Sequence, residues 1–60
     1  MDYELYIVID NKEVLFDSGS LEYLRHRAYL HSKEYKHLYN CKYLKFVVRV
    51  WNRVIEEFEF

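Results

Sequence analysis

Sixty residues allow one domain, and at this size a chain without disulfides or metals folds alone only by burying large side chains. Seven tyrosines, four phenylalanines and one tryptophan, with no proline and one glycine, exclude a disordered or linker-like chain. The net charge of −1 excludes a uniformly basic nucleic-acid binder, but it hides a division. Residues 25–53 hold eight Lys or Arg against Glu34 alone, whereas the flanks hold nine carboxylates against Lys12. Two readings follow: the two charge sets pair within the fold, or the basic segment meets an acidic protein or nucleic acid. The single cysteine, Cys41, cannot form an internal disulfide, which suits a reducing compartment. No apolar run approaches the ~20 residues of a membrane span, and Met1-Asp2-Tyr3-Glu4 lacks the basic start of a signal peptide. A cytoplasmic location is the expectation.

The first strand is predicted over about residues 3–10, where Tyr3, Leu5, Ile7 and Ile9 alternate against Glu4, Tyr6 and Val8. A turn through Asp10-Asn11-Lys12-Glu13 leads to a second strand, about 13–17. With Asn11-Lys12 as a two-residue loop, Ile9 would pair with Val14 and Ile7 with Phe16.

Ser18-Gly19-Ser20 ends that strand, and Ser20 is the predicted N-cap of a helix over about 20–39. Leu21, Leu24, Ala28, His31 and Tyr35 form an apolar stripe at helical spacing, widened by Leu30 and Leu38. Asn40 is the expected terminator.

Residues 43–51 form the most apolar strand: Leu44, Phe46, Val48 and Val50 alternate with Lys45, Val47, Arg49 and Trp51. A turn at Asn52-Arg53 returns the chain as a fourth strand, about 54–60, carrying Glu56, Glu57 and Glu59. A two-residue loop would set Glu57 opposite Val48. A three-residue loop would set Phe58 opposite Val48 and Glu57 opposite Arg49, keeping carboxylates off the core, and burial favours it.

The chain is therefore read as a single α+β domain spanning residues 1–60, β-β-α-β-β, with one helix on one face of a four-stranded sheet. Strand order 2-1-3-4 makes every pair antiparallel. Order 2-1-4-3, the β-grasp arrangement, would run strands one and four parallel. Central strands are apolar on both faces and edges tolerate charge, so apolar strands one and three favour 2-1-3-4.

The chemistry-bearing residues form no recognisable catalytic or metal set. His26, His31 and His37 are five and six residues apart and spread around a helix, and His37 with Cys41 supplies only two ligands. No orienting group or oxyanion turn accompanies that pair, and no glycine-rich phosphate loop exists. No enzyme activity, metal or cofactor is expected. His31, on the apolar stripe, is read as a partly buried histidine with a local hydrogen bond.

Two interaction surfaces are candidates. One helix covers one sheet face only, leaving Tyr6, Val8, Leu15, Val47 and Trp51 on the other, as a surface for another protein or for a second copy in a homodimer. The alternative is nucleic acid or a nucleotide, bound by Arg25, Lys36, Lys42, Lys45 and Arg49 with tyrosines interleaved as Tyr35, Tyr39 and Tyr43.

In length and element order the chain is similar to immunoglobulin-binding β-grasp domains. In its compactness, its Tyr, Lys, Glu and Asn content and its lack of a catalytic motif, it resembles small accessory proteins of phages and mobile elements. That resemblance implies an inhibitor of a host protein, bacterial immune effectors included.

Overall fold

The structure is a computed structural model that describes residues 2–60; Met1, the first residue of the non-basic Met1-Asp2-Tyr3-Glu4 start, lies outside them. Strands β1 (Tyr3–Ile9) and β2 (Lys12–Gly19) form a hairpin, helix α1 (Leu21–Tyr35) runs into a 3₁₀ turn (Lys36–Leu38), and β3 (Lys45–Val50) and β4 (Arg53–Glu59) form a second hairpin. The sheet order is β2-β1-β3-β4 and every neighbouring pair is antiparallel. The apolar strands β1 and β3 occupy the centre, and the β-grasp order with its parallel pair does not occur.

Both hairpins turn one residue earlier than the sequence suggests. Asp10 and Asn11 have φ of 51° and 64°, and Trp51 and Asn52 have φ of 52° and 64°. Positive φ at both central residues is the type I′ geometry, whose twist matches the flanking strands. Asp and Asn tolerate it better than Lys12, so the first loop is Asp10-Asn11 rather than Asn11-Lys12. Ile9 then faces Lys12, and Ile7 faces Val14 rather than Phe16. Beyond Leu15 the register shifts, so Leu5 faces Asp17 and Phe16 is the extra residue of a β-bulge. The bulge returns Phe16 to the helix-covered side, where its ring meets Phe46 edge-on at 6.0 Å.

The second hairpin repeats the device. Val50 faces Arg53, Arg49 faces Val54, Ile55 is the extra residue, and Val48 then faces Glu56. Neither predicted register occurs: Val48 meets neither Glu57 nor Phe58. A carboxylate does stand on the helix side, and it accepts from both Nε and Nη2 of Arg25 on α1. The Leu44 and Phe60 backbones exchange hydrogen bonds of 2.8 and 2.9 Å, which extends the ladder to the last residue.

Ser20 caps α1, its hydroxyl accepting the Tyr23 N–H at 3.2 Å. The helix buries Leu24, Ala28 and Ser32 against Leu5, Ile7, Leu44, Phe46 and Val48 of the sheet. Its stripe thus runs at strict i+4 steps and ends on a serine, whose hydroxyl donates to the Tyr29 carbonyl at 2.8 Å. Tyr35 and Leu38 leave the core, because α1 stops at Tyr35 and the 3₁₀ turn rotates the chain off the helical pitch. Tyr39 folds back instead, sharing a 2.6 Å hydrogen bond with His31 Nε2. His31 is partly buried, as read from its place on the stripe, with Phe16 4.6 Å away between ring centres. Among the described residues no helix is long and apolar enough to cross a membrane.

Candidate functional site

The face of the sheet opposite α1 is assembled from residues that stand opposite one another in the ladders. Tyr6 on β1 lies between Leu15 on β2 and Val47 on β3; Val8 lies between Glu13 and Lys45; Glu4 faces Arg49, which faces Val54 on β4. Four of the five residues expected there, Tyr6, Val8, Leu15 and Val47, share this face. They are not uniformly exposed. Val47 is 3% exposed, Tyr6 and Val8 are half-buried, and Leu15 is 57% exposed.

Strand position follows the difference, since Val47 lies on central β3 and Leu15 on the edge strand β2, and charged pairs flank the face. Arg49 makes a two-pronged ion pair with Glu13, and Lys45 pairs with Glu57 at 3.0 Å, so polar arms border the apolar centre. Arg49 holds the Glu13 carboxyl below the usual carboxylate range through this hydrogen bonding, and Glu57 raises the Lys45 ammonium in the same way. The Tyr6 hydroxyl donates to Glu4 at 2.9 Å, which pushes its own pKa up. The carboxylates Glu4, Glu13, Glu57 and Glu59 outnumber the cations Lys45 and Arg49 on this face.

Trp51 is not the fifth member of that face. It is the first residue of the β3–β4 turn, 80% exposed, and it borders a small depression at the sheet end with Glu4, Ser18 and Asn52. The alternation of β3 predicted a strand position; the left-handed backbone of the turn takes the residue out of the pleat. An aromatic residue at φ 52° gains little burial and carries a backbone cost of roughly 1–2 kcal/mol. Sequence reasoning missed this because nothing local distinguishes a last strand residue from a first turn residue.

The five cations read as a nucleic-acid set divide. Arg25 is bound to Glu56 on the helix side, whereas Lys45 is bound to Glu57 and Arg49 to Glu13 on the open sheet face. Arg27, outside that set, is bound to Asp17 at 2.9 Å. These are pairings between the basic middle and the acidic flanks. Lys36 and Lys42 make no ion pair among the described residues, and Lys33, which the sequence reading passed over, joins them. All three line one shallow depression where α1 ends and the chain crosses towards β3, together with His37, Asn40 and Cys41. Among the described residues no carboxylate lines it. The signal for Lys33 was its helical spacing of three from Lys36.

Among the described residues no group of three or more His, Cys, Asp or Glu converges on a point that could hold a metal ion. Cys41 is exposed, and it lines the lysine depression as His37 does. No family model matches the chain, and no curated protein or solved structure compared with it matches either.

Proposed function

We propose that this protein is a non-enzymatic protein-binding module, with Trp51 as its anchor and the adjoining open sheet face as the surrounding contact. The observation that carries this reading is the position of Trp51. A large aromatic side chain stands in solvent, on a backbone conformation that Gly, Asn or Asp would occupy at lower cost. Neither stability nor folding explains a tryptophan there, whereas buried Trp side chains are prominent anchors of interfaces. Its burial against a partner would contribute roughly 2 kcal/mol.

The chemistry of the surrounding face describes the partner. Leu15, Val8 and Tyr6 offer apolar contact, and the surplus of carboxylates over cations favours a protein with an apolar centre and a basic rim. A second copy joined through the same face would set two acidic surfaces together, so a different protein is the better fit. The general style of the chain suggests inhibition of a host or bacterial immune protein as the biological form of this binding.

The test is chemical cross-linking with mass spectrometry, using lysate of the source organism and three chains: wild type, Trp51→Asn and Leu15→Glu. A partner that cross-links to the wild type and is lost from both variants supports the reading. Equal recovery of that partner by both variants rules out the site. Light scattering on the pure chain adds a control: a dimer dispersed by both substitutions would assign the face to a second copy.

A further inference from the structure

We propose that the depression at the C-terminal end of α1 is a binding site for single-stranded nucleic acid, independent of the Trp51 surface. Arg25, Arg27, Lys45 and Arg49 are each committed to a carboxylate, so their charge is locally cancelled. Lys33, Lys36 and Lys42 are the unpaired cations that remain grouped, and they line one depression that contains no carboxylate. The end of α1 adds about half a negative charge. Three ammonium groups exceed it several-fold, so the site retains a positive potential.

The same lysines are interleaved with exposed aromatic rings. The Lys33 ammonium lies 5.8 Å from the Tyr29 ring centre, and those of Lys36 and Lys42 lie 5.4 and 5.7 Å from that of Tyr43. Both tyrosines are about half exposed. The surface therefore reads Tyr29, Lys33, the depression, Lys36 with Lys42, Tyr43. Phosphates need cations in a row and unpaired bases need flat rings beside them, and this order supplies both. A duplex has its bases stacked inside and would leave the tyrosines unused. An acidic protein would pair with the lysines but would not need the rings. The depression is shallow and open, which suits a strand lying along it better than an enclosed mononucleotide.

The arrangement also has a structural cause. The 3₁₀ turn, Lys36–Leu38, swings the chain away from the helix axis, and Tyr39 is anchored back onto His31. The segment on either side of that anchor is thereby bent around one concavity. Lys33 and Lys36 on the helix side then face Lys42 on the return, across six to nine residues of sequence.

Fluorescence anisotropy with labelled dT12 tests the proposal, with a dT12·dA12 duplex and polyglutamate as comparison probes. The expected result is dT12 binding in the range of about 1–100 µM at low salt, weakening with a log–log salt slope of about −2 for three phosphate contacts. Lys33→Gln/Lys36→Gln/Lys42→Gln is expected to weaken it at least tenfold, and Tyr43→Ala severalfold. Lys12→Gln/Arg53→Gln, which removes two cations outside the depression, should leave it unchanged. Circular dichroism checks that each variant keeps its fold. Absence of dT12 binding at low salt overturns the proposal, as does an equal loss in the Lys12/Arg53 variant. Polyglutamate bound as tightly as dT12 through the same lysines would reassign the depression to acidic proteins. Trp51→Asn is expected to leave dT12 affinity intact, so failure here and failure of the protein-binding reading are separable.

Discussion

Arg49 on β3 reaches across β1 to fork onto Glu13 on β2, with Nε donating to Oε1 at 2.7 Å and Nη2 to Oε2 at 2.9 Å. Its Nη1 also donates to the Asn52 carbonyl at 3.1 Å, so one side chain joins three strands and the β3–β4 turn. The pair lies on the face that α1 leaves uncovered and helps to shelter its apolar centre. Arg49→Lys keeps the charge but loses the planar fork. It is expected to lower Tm, and Glu13→Gln should do the same, with the double variant no worse than Arg49→Lys alone. The Glu13 carboxyl is held below its ordinary value of 4.5, so its contribution is present above that pH and is lost as pH falls through the folded value. Thermal melts of the four chains, at low and high salt, check this; additive losses would show that the two residues act separately.

Trp51→Asn is expected to raise stability while weakening partner binding. Asn is one of the residues that tolerate a left-handed backbone, so up to about 1 kcal/mol of backbone cost is relieved. Loss of an anchor of about 2 kcal/mol should weaken partner affinity roughly 30-fold. Urea unfolding and a binding titration on the same protein give both values. A variant that is less stable and binds unchanged would show that Trp51 serves the fold. Because Trp51 is the only tryptophan, its emission is expected to shift to shorter wavelength on complex formation.

Gly19 joins β2 to the cap of α1 at φ 151°, and a Cβ built there lies 2.9 Å from Cδ2 of Tyr23. Tyr23 is not free to retreat, because its hydroxyl donates to Asp17 at 2.7 Å. Gly19→Ala should therefore cost about 1 kcal/mol or more. The companion Gly19→Ala/Tyr23→Ala removes the obstructing ring. Denaturant midpoints compared with that of Tyr23→Ala separate ring clash from backbone strain: if the clash dominates, Gly19→Ala costs much less in the absence of the ring.

His31 gives the fold a pH dependence of known sign. Burial pushes its pKa below the ordinary 6.5, with Arg27 lowering it further and Glu34 opposing. The unfolded chain then takes up the proton first, so stability is fully present above about 6.5 and declines as pH falls towards the folded value. Asp17, Glu13 and Glu56 are also held low by hydrogen bonds, to Tyr23 and Arg27, to Arg49 and to Arg25 respectively. Their windows lie at and below their ordinary values of 3.8 to 4.5, so they open at lower pH than the histidine's, which opens at 6.5. Tm is expected to fall between about pH 7.5 and pH 5.5 in the wild type and to be flatter in His31→Gln. An identical slope in the variant would assign the effect to other groups.

Local patterns along the chain specify the elements and their order in the sheet. Alternation over Tyr3–Ile9 and Lys45–Val50, helical spacing through Leu24 and Ala28, and Ser20 ahead of them are local signals. The concentration of apolar residues in β1 and β3 then sorts centre from edge, because a charged strand can remain at an edge without desolvation. Register was beyond reach. Each hairpin carries a bulge, at Phe16 and at Ile55, and where an extra residue is inserted depends on how an edge strand meets a helix distant in sequence. The fate of the cations was equally non-local. Arg25 finds Glu56 and Arg49 finds Glu13 across 31 and 36 residues, which only the folded chain brings within reach. Which lysines stay unpaired follows from that long-range pairing, and Trp51 leaves the sheet because the β3–β4 turn takes it at positive φ, a position that no local pattern marks.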